Sequence, residues 1–405
     1  MISSFFAFAS TFLIPIPYLG FGALLGFFLI LNIKRKELTI LFPIGLGIVS
    51  ILSLVFLSNV YNSVTLNYND IKNLVVLIAS FLYFVYFNHL FFAKRIESGK
   101  RNKILIYIAG GELVASFIFW RLPPSLLYKD YTWFKYRGGY SLILIIFQIF
   151  VVTKYRNRIS ANLLLGLSLF FFSFSQNAKS IALLVLVVTI FRVLLLSSMG
   201  NRHPLQESKS SFRLNFFKIS IPSVIFILLF QRLVELGIFG ERLKSFGTEY
   251  GGSLILSIFQ ARAEFPLSMQ ILKQMSFFGY GTISDPLNHL NIDISVSNHM
   301  SYGSQKYFIL RTLGDGFDLH SWAFNLIVRA GFLVIIPIAL YLAMLIRCAI
   351  NMDLLTEYPG LYFIVLTCIV DLFFSPYSWF VPIQIALSFL SYRCITEPKI
   401  TGNSV

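Results

Sequence analysis

Long apolar runs constrain this chain more than any other feature of its sequence. The run from Ser321 to Ile350 exceeds the roughly 20 apolar residues that a helix needs to cross the hydrocarbon core of a bilayer. Similar runs recur along the 405 residues, of which 57% are hydrophobic and only 13% are charged. A soluble domain carries about a quarter charged residues. The sequence therefore predicts an all-α integral membrane protein.

The apolar runs predict about twelve transmembrane helices. The number is eleven if the first stretch, which ends at Ile33, forms one bent helix instead of two short spans. That stretch has no basic n-region or cleavage site, so we interpret it as a retained membrane segment. No repeat or linker divides residues 1–405, which are predicted to form one membrane domain. The other predicted spans are Leu38–Ser58, Ile71–Ala93, Ile104–Trp120, Tyr140–Thr153, Ala161–Ser173, Ile181–Ser198, Ile219–Leu236, Ser321–Ile350, Tyr358–Phe374 and Tyr377–Ile395.

The positive charges predict the orientation of these spans. Basic clusters that begin at Lys34, Lys94, Lys154 and Asn201 fall on alternate loops, which the positive-inside rule places in the cytoplasm together with both termini. Because the net charge of +15 is distributed in this way, it favours anionic lipid and phosphate-bearing ligands over nucleic acid. Two segments are predicted to be outward loops, residues 121–139 and a long, partly helical cap at residues 237–320.

Several cations nevertheless lie on the outward loops, where the positive-inside rule disfavours them. Arg137 and Lys179 each adjoin a predicted helix end, and Arg262 and Arg311 lie in the long loop. Solvated surface and pairing with nearby acids is one explanation. The other is an anionic ligand at the outer boundary of the membrane, because guanidinium groups bind phosphate in a bidentate manner. The sequence leaves both open.

His320 and Gly331 mark the start of the longest apolar run. If the run is one helix, the two residues project from nearly the same face, about 16 Å apart along the axis. The glycine would leave a groove for a prenyl chain, with the histidine above it at the water boundary. A histidine that merely lies at the interface is the alternative interpretation. The three cysteines, Cys348, Cys368 and Cys394, show neither a disulfide framework nor metal-ligand spacing, and no metal or other cofactor is expected.

Four stretches occur in an order that resembles the superfamily of O-antigen polymerases and O-antigen ligases. "HSWAFNLIVRAG", from His320, resembles its histidine-then-glycine signature, and "YRGGYSLILIIFQI" its arginine–glycine segment. "SFSQNAKSIALLVLVV" resembles its Ser-Arg turn, with Lys179 in place of the usual arginine. "ARAEFPLSMQILKQMSFFGYGT" resembles the loop that starts with arginine and ends in a Gly-aliphatic-Gly turn, here Gly279-Tyr280-Gly281.

The resemblance implies a GT-C-like glycosyltransferase of the bacterial inner membrane with a periplasmic active site. Such an enzyme polymerises undecaprenyl-diphosphate-linked oligosaccharides without a metal, its donor and acceptor both being lipid-linked. Membrane lipid and a chain-length regulator protein are further expected partners. The implied catalytic residues are His320, as general base, and Arg262. Arg137, Lys179 and Arg311 are the implied diphosphate ligands, and Gly331 lines the prenyl groove.

Other functions remain open at this point. A ligase that transfers glycan to lipid A-core shares the same motifs. A polysaccharide flippase or transporter would be equally basic and many-spanned, although such proteins usually contain internal repeats, which this chain lacks. His289 and His299 are alternative bases in the long loop, without a comparable motif around them.

Overall fold

The computed structural model describes residues 21–31, 35–63, 68–92, 98–120, 138–176, 178–199, 232, 272–273, 275–281, 321–374 and 381–396. Within these residues the protein is all-helical and has no β-sheet. A 3₁₀ turn, Phe332–Val334, lies between the eighth and ninth α-helices. The α-helices are α1 (Phe21–Ile30), α2 (Arg35–Tyr61), α3 (Tyr68–Phe92), α4 (Ser98–Trp120), α5 (Gly139–Val152), α6 (Ile159–Ser175), α7 (Lys179–Met199), α8 (Trp322–Ala330), α9 (Ile335–Ala349), α10 (Met352–Glu357), α11 (Pro359–Phe374) and α12 (Val381–Thr396).

Among the described residues, four segments are long and apolar enough to cross a membrane. They are Leu41–Tyr61, Val75–Phe92, Ser180–Ser197 and Phe332–Ala349, with mean hydropathies between 1.9 and 2.6. Shorter apolar helices accompany them, for example α5 and α11. The predicted all-helical, multi-pass class is therefore confirmed in this coarse form. The number of crossings stays a prediction, because the first 20 residues and nearly all of the run Ile219–Leu236 lie outside the described residues.

The predicted span Ser321–Ile350 is wrong as a single helix. α8 ends at Ala330, and Gly331 adopts a φ of 80° and a ψ of −174°, which no α-helix can accommodate. The 3₁₀ turn follows and α9 begins at Ile335. With only nine residues, α8 is about 13 Å long and cannot cross a bilayer by itself. Gly331 is therefore not part of a continuous helix that starts after His320, and the two residues cannot be placed on one helix face.

α11 is the central helix of the described bundle. It contacts α5, α7, α8, α9, α10 and α12, and Tyr362 and Phe363 on it are almost fully buried. Small residues permit close packing: a side chain at Gly360 would meet the Leu144 carbonyl of α5, and one at Gly166 of α6 would clash with Thr189 of α7. The buried apolar side chains thus form one core around α11.

Hydrogen bonds fix the directions of these helices. The Gly360 amide at the start of α11 donates to Gln148 in the second half of α5 (3.3 Å). Arg192, late in α7, donates to the Leu355 carbonyl just before α11 (3.0 Å). Both contacts involve the later part of α5 or α7 and the region where α11 begins. α5 and α7 therefore run antiparallel to α11, and both begin on the side of the bundle towards which α11 runs.

The bundle consequently has two distinct ends. The turn end contains the last turn of α11, the first turns of α5 and α7, and the turn Ser276–Gly281. The opposite, basic end is where α11 begins and where α3, α9 and α12 finish. It carries the described cations Lys100, Arg101, Lys103, Lys154, Arg156, Arg158, Arg192, Arg347 and Arg393, with the acids Asp353 and Glu357.

Candidate functional site at the glycine junction

Most of the site residues predicted from the sequence lie outside the described residues. This applies to Arg137, Arg262, Arg311 and His320, and to the alternative bases His289 and His299. Lys179 is the first residue of α7, and Gly331 is described in full. The roles predicted for these residues stay predictions.

The helices that adjoin three of these positions begin at the turn end. α5 begins at Gly139, two residues after Arg137, and α7 begins at Lys179. Ser321, which follows His320 in the chain, is the N-cap of α8: its hydroxyl accepts a hydrogen bond from the Phe324 amide (3.3 Å). The same hydroxyl donates to the Leu372 carbonyl in the last turn of α11 (3.2 Å). The start of α8 is thus fixed to the turn end.

A crossing segment, Met275–Gly281, packs on the break between α8 and the 3₁₀ turn. The Tyr280 amide donates to the Val328 carbonyl (2.9 Å), and the Gly281 amide donates to the Arg329 carbonyl (3.0 Å). In the reverse direction, the Phe332 amide donates to the Phe277 carbonyl (3.1 Å). The last carbonyls of a helix lack amide partners within that helix, and burying them unpaired is costly. The crossing segment supplies the amides that the interrupted helix cannot.

Three glycines make this contact sterically feasible, and we call them the glycine junction: Gly279, Gly281 and Gly331. All have positive φ, at 76°, 68° and 80° respectively. A Cβ at Gly279 would lie 2.5 Å from the Gly331 nitrogen and 2.7 Å from the Val328 carbonyl oxygen. Both the left-handed backbone and the close approach therefore require glycine.

Gly331 does not border an open groove on the side where a Cβ would project. The backbone of Phe277 and Phe278 occupies that side, with the Phe278 Cα 2.7 Å from the position of such a Cβ. The helix that was to present this groove is interrupted at the same residue. The continuous helix face on which the predicted prenyl groove depended is thus interrupted, and Gly331 is where the crossing segment contacts the helix.

The last turn of α2 completes the contact. The side-chain amide of Asn62 donates hydrogen bonds to the Gly279 carbonyl (3.1 Å) and to the Ser58 carbonyl (2.7 Å). Its neighbour Asn59 is buried, and its side-chain oxygen is the atom nearest to a Cβ built at Gly281. The junction thereby connects the loop, the end of α2 and the α8–α9 break into one unit.

Four aromatic rings extend outward from the junction. Tyr61 and Phe278 lie 4.9 Å apart by ring centroids, Phe278 and Phe277 5.5 Å, and Phe277 and Phe332 6.5 Å. All four rings are exposed. Aromatic side chains at the end of a membrane helix commonly lie at the lipid–water interface. The row indicates that this part of the long loop lies at the membrane surface.

Tyr280, the middle residue of the Gly-Tyr-Gly turn, is a functional candidate that was not among the predicted site residues. Its hydroxyl oxygen is buried and has no hydrogen-bond partner among the described residues. Burial raises the pKa of this hydroxyl above its usual range, so it is a neutral donor at physiological pH. Ser141 and Ser173, near the same end, also bury hydroxyls without a partner in the described part. The signal for Tyr280 in the sequence is the pair of glycines on either side of it, which indicates an unusual backbone conformation.

The described residues offer no metal site. No group of three or more His, Cys, Asp or Glu side chains within them is arranged to hold an ion. In comparisons with known proteins, no family model, no curated protein and no solved structure matches the chain.

Proposed function

We propose that this protein is a membrane glycosyltransferase that polymerises undecaprenyl-diphosphate-linked oligosaccharide repeat units. The glycine junction is the observation that supports the proposal most. Two of the four motifs, the Gly-Tyr-Gly turn and the segment from His320 to Gly331, are about 50 residues apart in sequence and meet there through backbone hydrogen bonds. The junction would hold the loop that carries Arg262 against the helix that follows His320.

The direction of three helices gives further support. Arg137 and His320 each precede a helix that begins at the turn end, and Lys179 begins a third. A lipid-linked diphosphate would lie at this end of the bundle, because its headgroup stays at the membrane boundary while its prenyl tail remains in the bilayer. Cations gathered there would suit a diphosphate donor.

The proposed reaction is a displacement at the anomeric carbon of the donor sugar. An acceptor hydroxyl forms a bond to that carbon while the bond to the diphosphate oxygen breaks. His320 takes the hydroxyl proton, because an imidazole with a pKa of about 6.5 is suited to general-base work. Arg262 stabilises the negative charge that develops on the leaving undecaprenyl diphosphate, assisted by Arg137, Lys179 and Arg311. The described residues contribute the positioning of the loop and helix.

Reconstituted enzyme tests the assignment of the base. The His320→Ala variant should still bind lipid-linked donor but lose about 10²–10⁴-fold in turnover, measured as polymer ladders on gels. Arg262→Ala should lose both donor binding and turnover. His89→Ala is the matched control, since His89 lies in the last turn of α3 at the basic end and should leave the activity unchanged. Wild-type turnover in His320→Ala would contradict the assignment.

Deletion of the gene tests the reaction class. Single repeat units on the lipid anchor would support a polymerase. Polymer that remains on undecaprenyl diphosphate, with none on lipid A, would indicate a ligase. An unchanged glycan profile would exclude both.

A further inference from the structure

The hydroxyl oxygen of Tyr280 is buried without a hydrogen-bond partner among the described residues, although the side chain as a whole is only half-buried. Burying a polar group without a partner costs free energy, and such groups in native proteins usually have a bound partner or a functional role. Phenylalanine would fill the same space without that cost. The hydroxyl therefore points to a partner that the described residues do not supply.

The backbone of the turn fixes where this side chain starts. The Tyr280 amide donates to the Val328 carbonyl (2.9 Å), and the Gly281 amide donates to the Arg329 carbonyl (3.0 Å). Neither contact uses the phenol group. A side chain that starts from a fixed backbone loses less conformational freedom when it binds a ligand. The turn is thus suited to presenting the hydroxyl to a bound molecule.

Neutral polar groups surround the same turn. The side-chain amide of Asn62 donates to the Gly279 carbonyl (3.1 Å), and the side-chain oxygen of the buried Asn59 lies next to Gly281. Arg329 contacts the turn through its backbone carbonyl. Burial raises the pKa of the Tyr280 hydroxyl, which is therefore neutral as well. Phosphate favours cations, whereas a neutral phenol beside amides and the exposed aromatic row suits a sugar hydroxyl.

We propose that the Tyr280 hydroxyl binds a sugar hydroxyl of the lipid-linked repeat unit and that Tyr280 is a specificity-determining residue. This role rests on the proposed function and assigns the sugar part of the substrate to the turn. A site that hydrogen-bonds a substrate hydroxyl discriminates strongly against a sugar that lacks it, because the phenol then stays buried and unpaired. The turn lies at the end of the bundle where α5, α7 and α8 begin, which is the end of the proposed active site.

Tyr280→Phe removes the hydroxyl alone and tests the role in the full chain. The probes are lipid-linked repeat units extracted from cells that lack the gene, and undecaprenyl diphosphate without sugar. Without a ligand, the variant should unfold at the wild-type temperature or slightly above it, because no hydrogen bond within the chain is lost. Its apparent affinity for the repeat units should fall about three- to tenfold, with the affinity for undecaprenyl diphosphate unchanged. Thermal unfolding in detergent at increasing probe concentration measures both affinities.

Two other tyrosines provide controls for the loss of a hydroxyl. Tyr362 donates from its hydroxyl to the Ala349 carbonyl (2.8 Å). Tyr362→Phe should therefore unfold at a lower temperature, with the ratio of its affinities for the two probes unchanged. Tyr107 is exposed on α4, and Tyr107→Phe should change neither the unfolding temperature nor either affinity.

Three results would overturn the role of Tyr280. A lower unfolding temperature of Tyr280→Phe without ligand would show that the hydroxyl bonds within the chain. An equal loss of affinity for both probes would assign the hydroxyl to the diphosphate, and unchanged affinities would mean that it binds neither probe. The proposed function fails separately, if the wild-type protein does not elongate the lipid-linked repeat units.

Discussion

At the scale of single residues, Gly279 and Gly331 are two of the positions where the backbone tolerates no side chain. Gly279 has a φ of 76°. A Cβ at this residue would project towards the Gly331 nitrogen and two carbonyl oxygens of α8. Alanine there would combine left-handed backbone strain with a steric clash. We expect Gly279→Ala to reduce the free energy of unfolding by about 2–4 kcal/mol. The measurement is the unfolding midpoint of the purified protein in detergent.

Gly47 provides the control for this substitution. It lies inside α2, and a Cβ built there meets no atom within 4 Å. Alanine is a better helix former than glycine, so Gly47→Ala should leave the midpoint unchanged or raise it slightly. A Gly279→Ala variant as stable as Gly47→Ala would show that the crossing segment is not held against α8 as described.

The same residues show what the sequence could and could not predict about the site. Gly331 was identified from the sequence as the residue that would leave a groove, and the Gly-Tyr-Gly turn through the family resemblance. Their contact was not, since the partner of Gly331 lies about 50 residues earlier in the chain and no local pattern encodes that distance. The glycine was therefore predicted to border a lipid groove, whereas Phe277 and Phe278 occupy its free side.

At the scale of helices, apolar periodicity predicted the regular spans well and the interrupted one badly. The predicted run Ile71–Ala93 corresponds to α3, at Tyr68–Phe92, and the run Ile181–Ser198 to α7, at Lys179–Met199. The run from Ser321 to Ile350 is equally apolar, yet it divides at Gly331. Hydropathy reports only the preference of a segment for water or lipid. This break depends on hydrogen bonds that the backbone amides of Tyr280 and Gly281, in a distant segment, donate to the last carbonyls of α8.

Arg192 holds three helical elements together at the basic end. Buried on α7, it donates from Nε to the Asn162 side-chain oxygen of α6 (2.6 Å). It also donates from Nη1 to the Leu355 carbonyl of α10 (3.0 Å). Arg192→Met should lower the free energy of unfolding by about 3 kcal/mol or more, because hydrogen bonds from a charged group are lost and buried acceptors remain unpaired. Chemical denaturation in detergent measures the change.

Arg156 supplies the comparison for that variant. Its backbone carbonyl accepts a hydrogen bond from the side-chain amide of Asn162 (2.9 Å), but its own side chain is exposed. Arg156→Gln keeps the carbonyl and should change stability by less than about 0.5 kcal/mol. If the free energy of unfolding falls equally in the two variants, net charge and not the buried hydrogen bonds stabilises this end.

At the scale of the whole molecule, the described charges divide the bundle into unlike ends. Nine described cations lie at the basic end, whereas Lys179 and Arg329 lie at the turn end with the glycine junction and the exposed aromatic row. The positive-inside rule was applied to the sequence loop by loop. The structure adds that the described helix ends next to these clusters lie at one end of the bundle, because α5 and α7 run antiparallel to α11. The rule then predicts that the basic end faces the cytoplasm.

Site-directed labelling of intact cells decides this orientation. Ser63, exposed after the last turn of α2, lies at the turn end, whereas the exposed Lys103 lies in α4 at the basic end. With Cys394 changed to serine and the other two native cysteines buried, an impermeant maleimide should label Ser63→Cys directly. Lys103→Cys should react only after permeabilisation. The reverse pattern would invert the orientation and place the proposed active site in the cytoplasm, where no periplasmic polymerase works. Labelling of both variants from the same side would contradict the two-ended bundle itself.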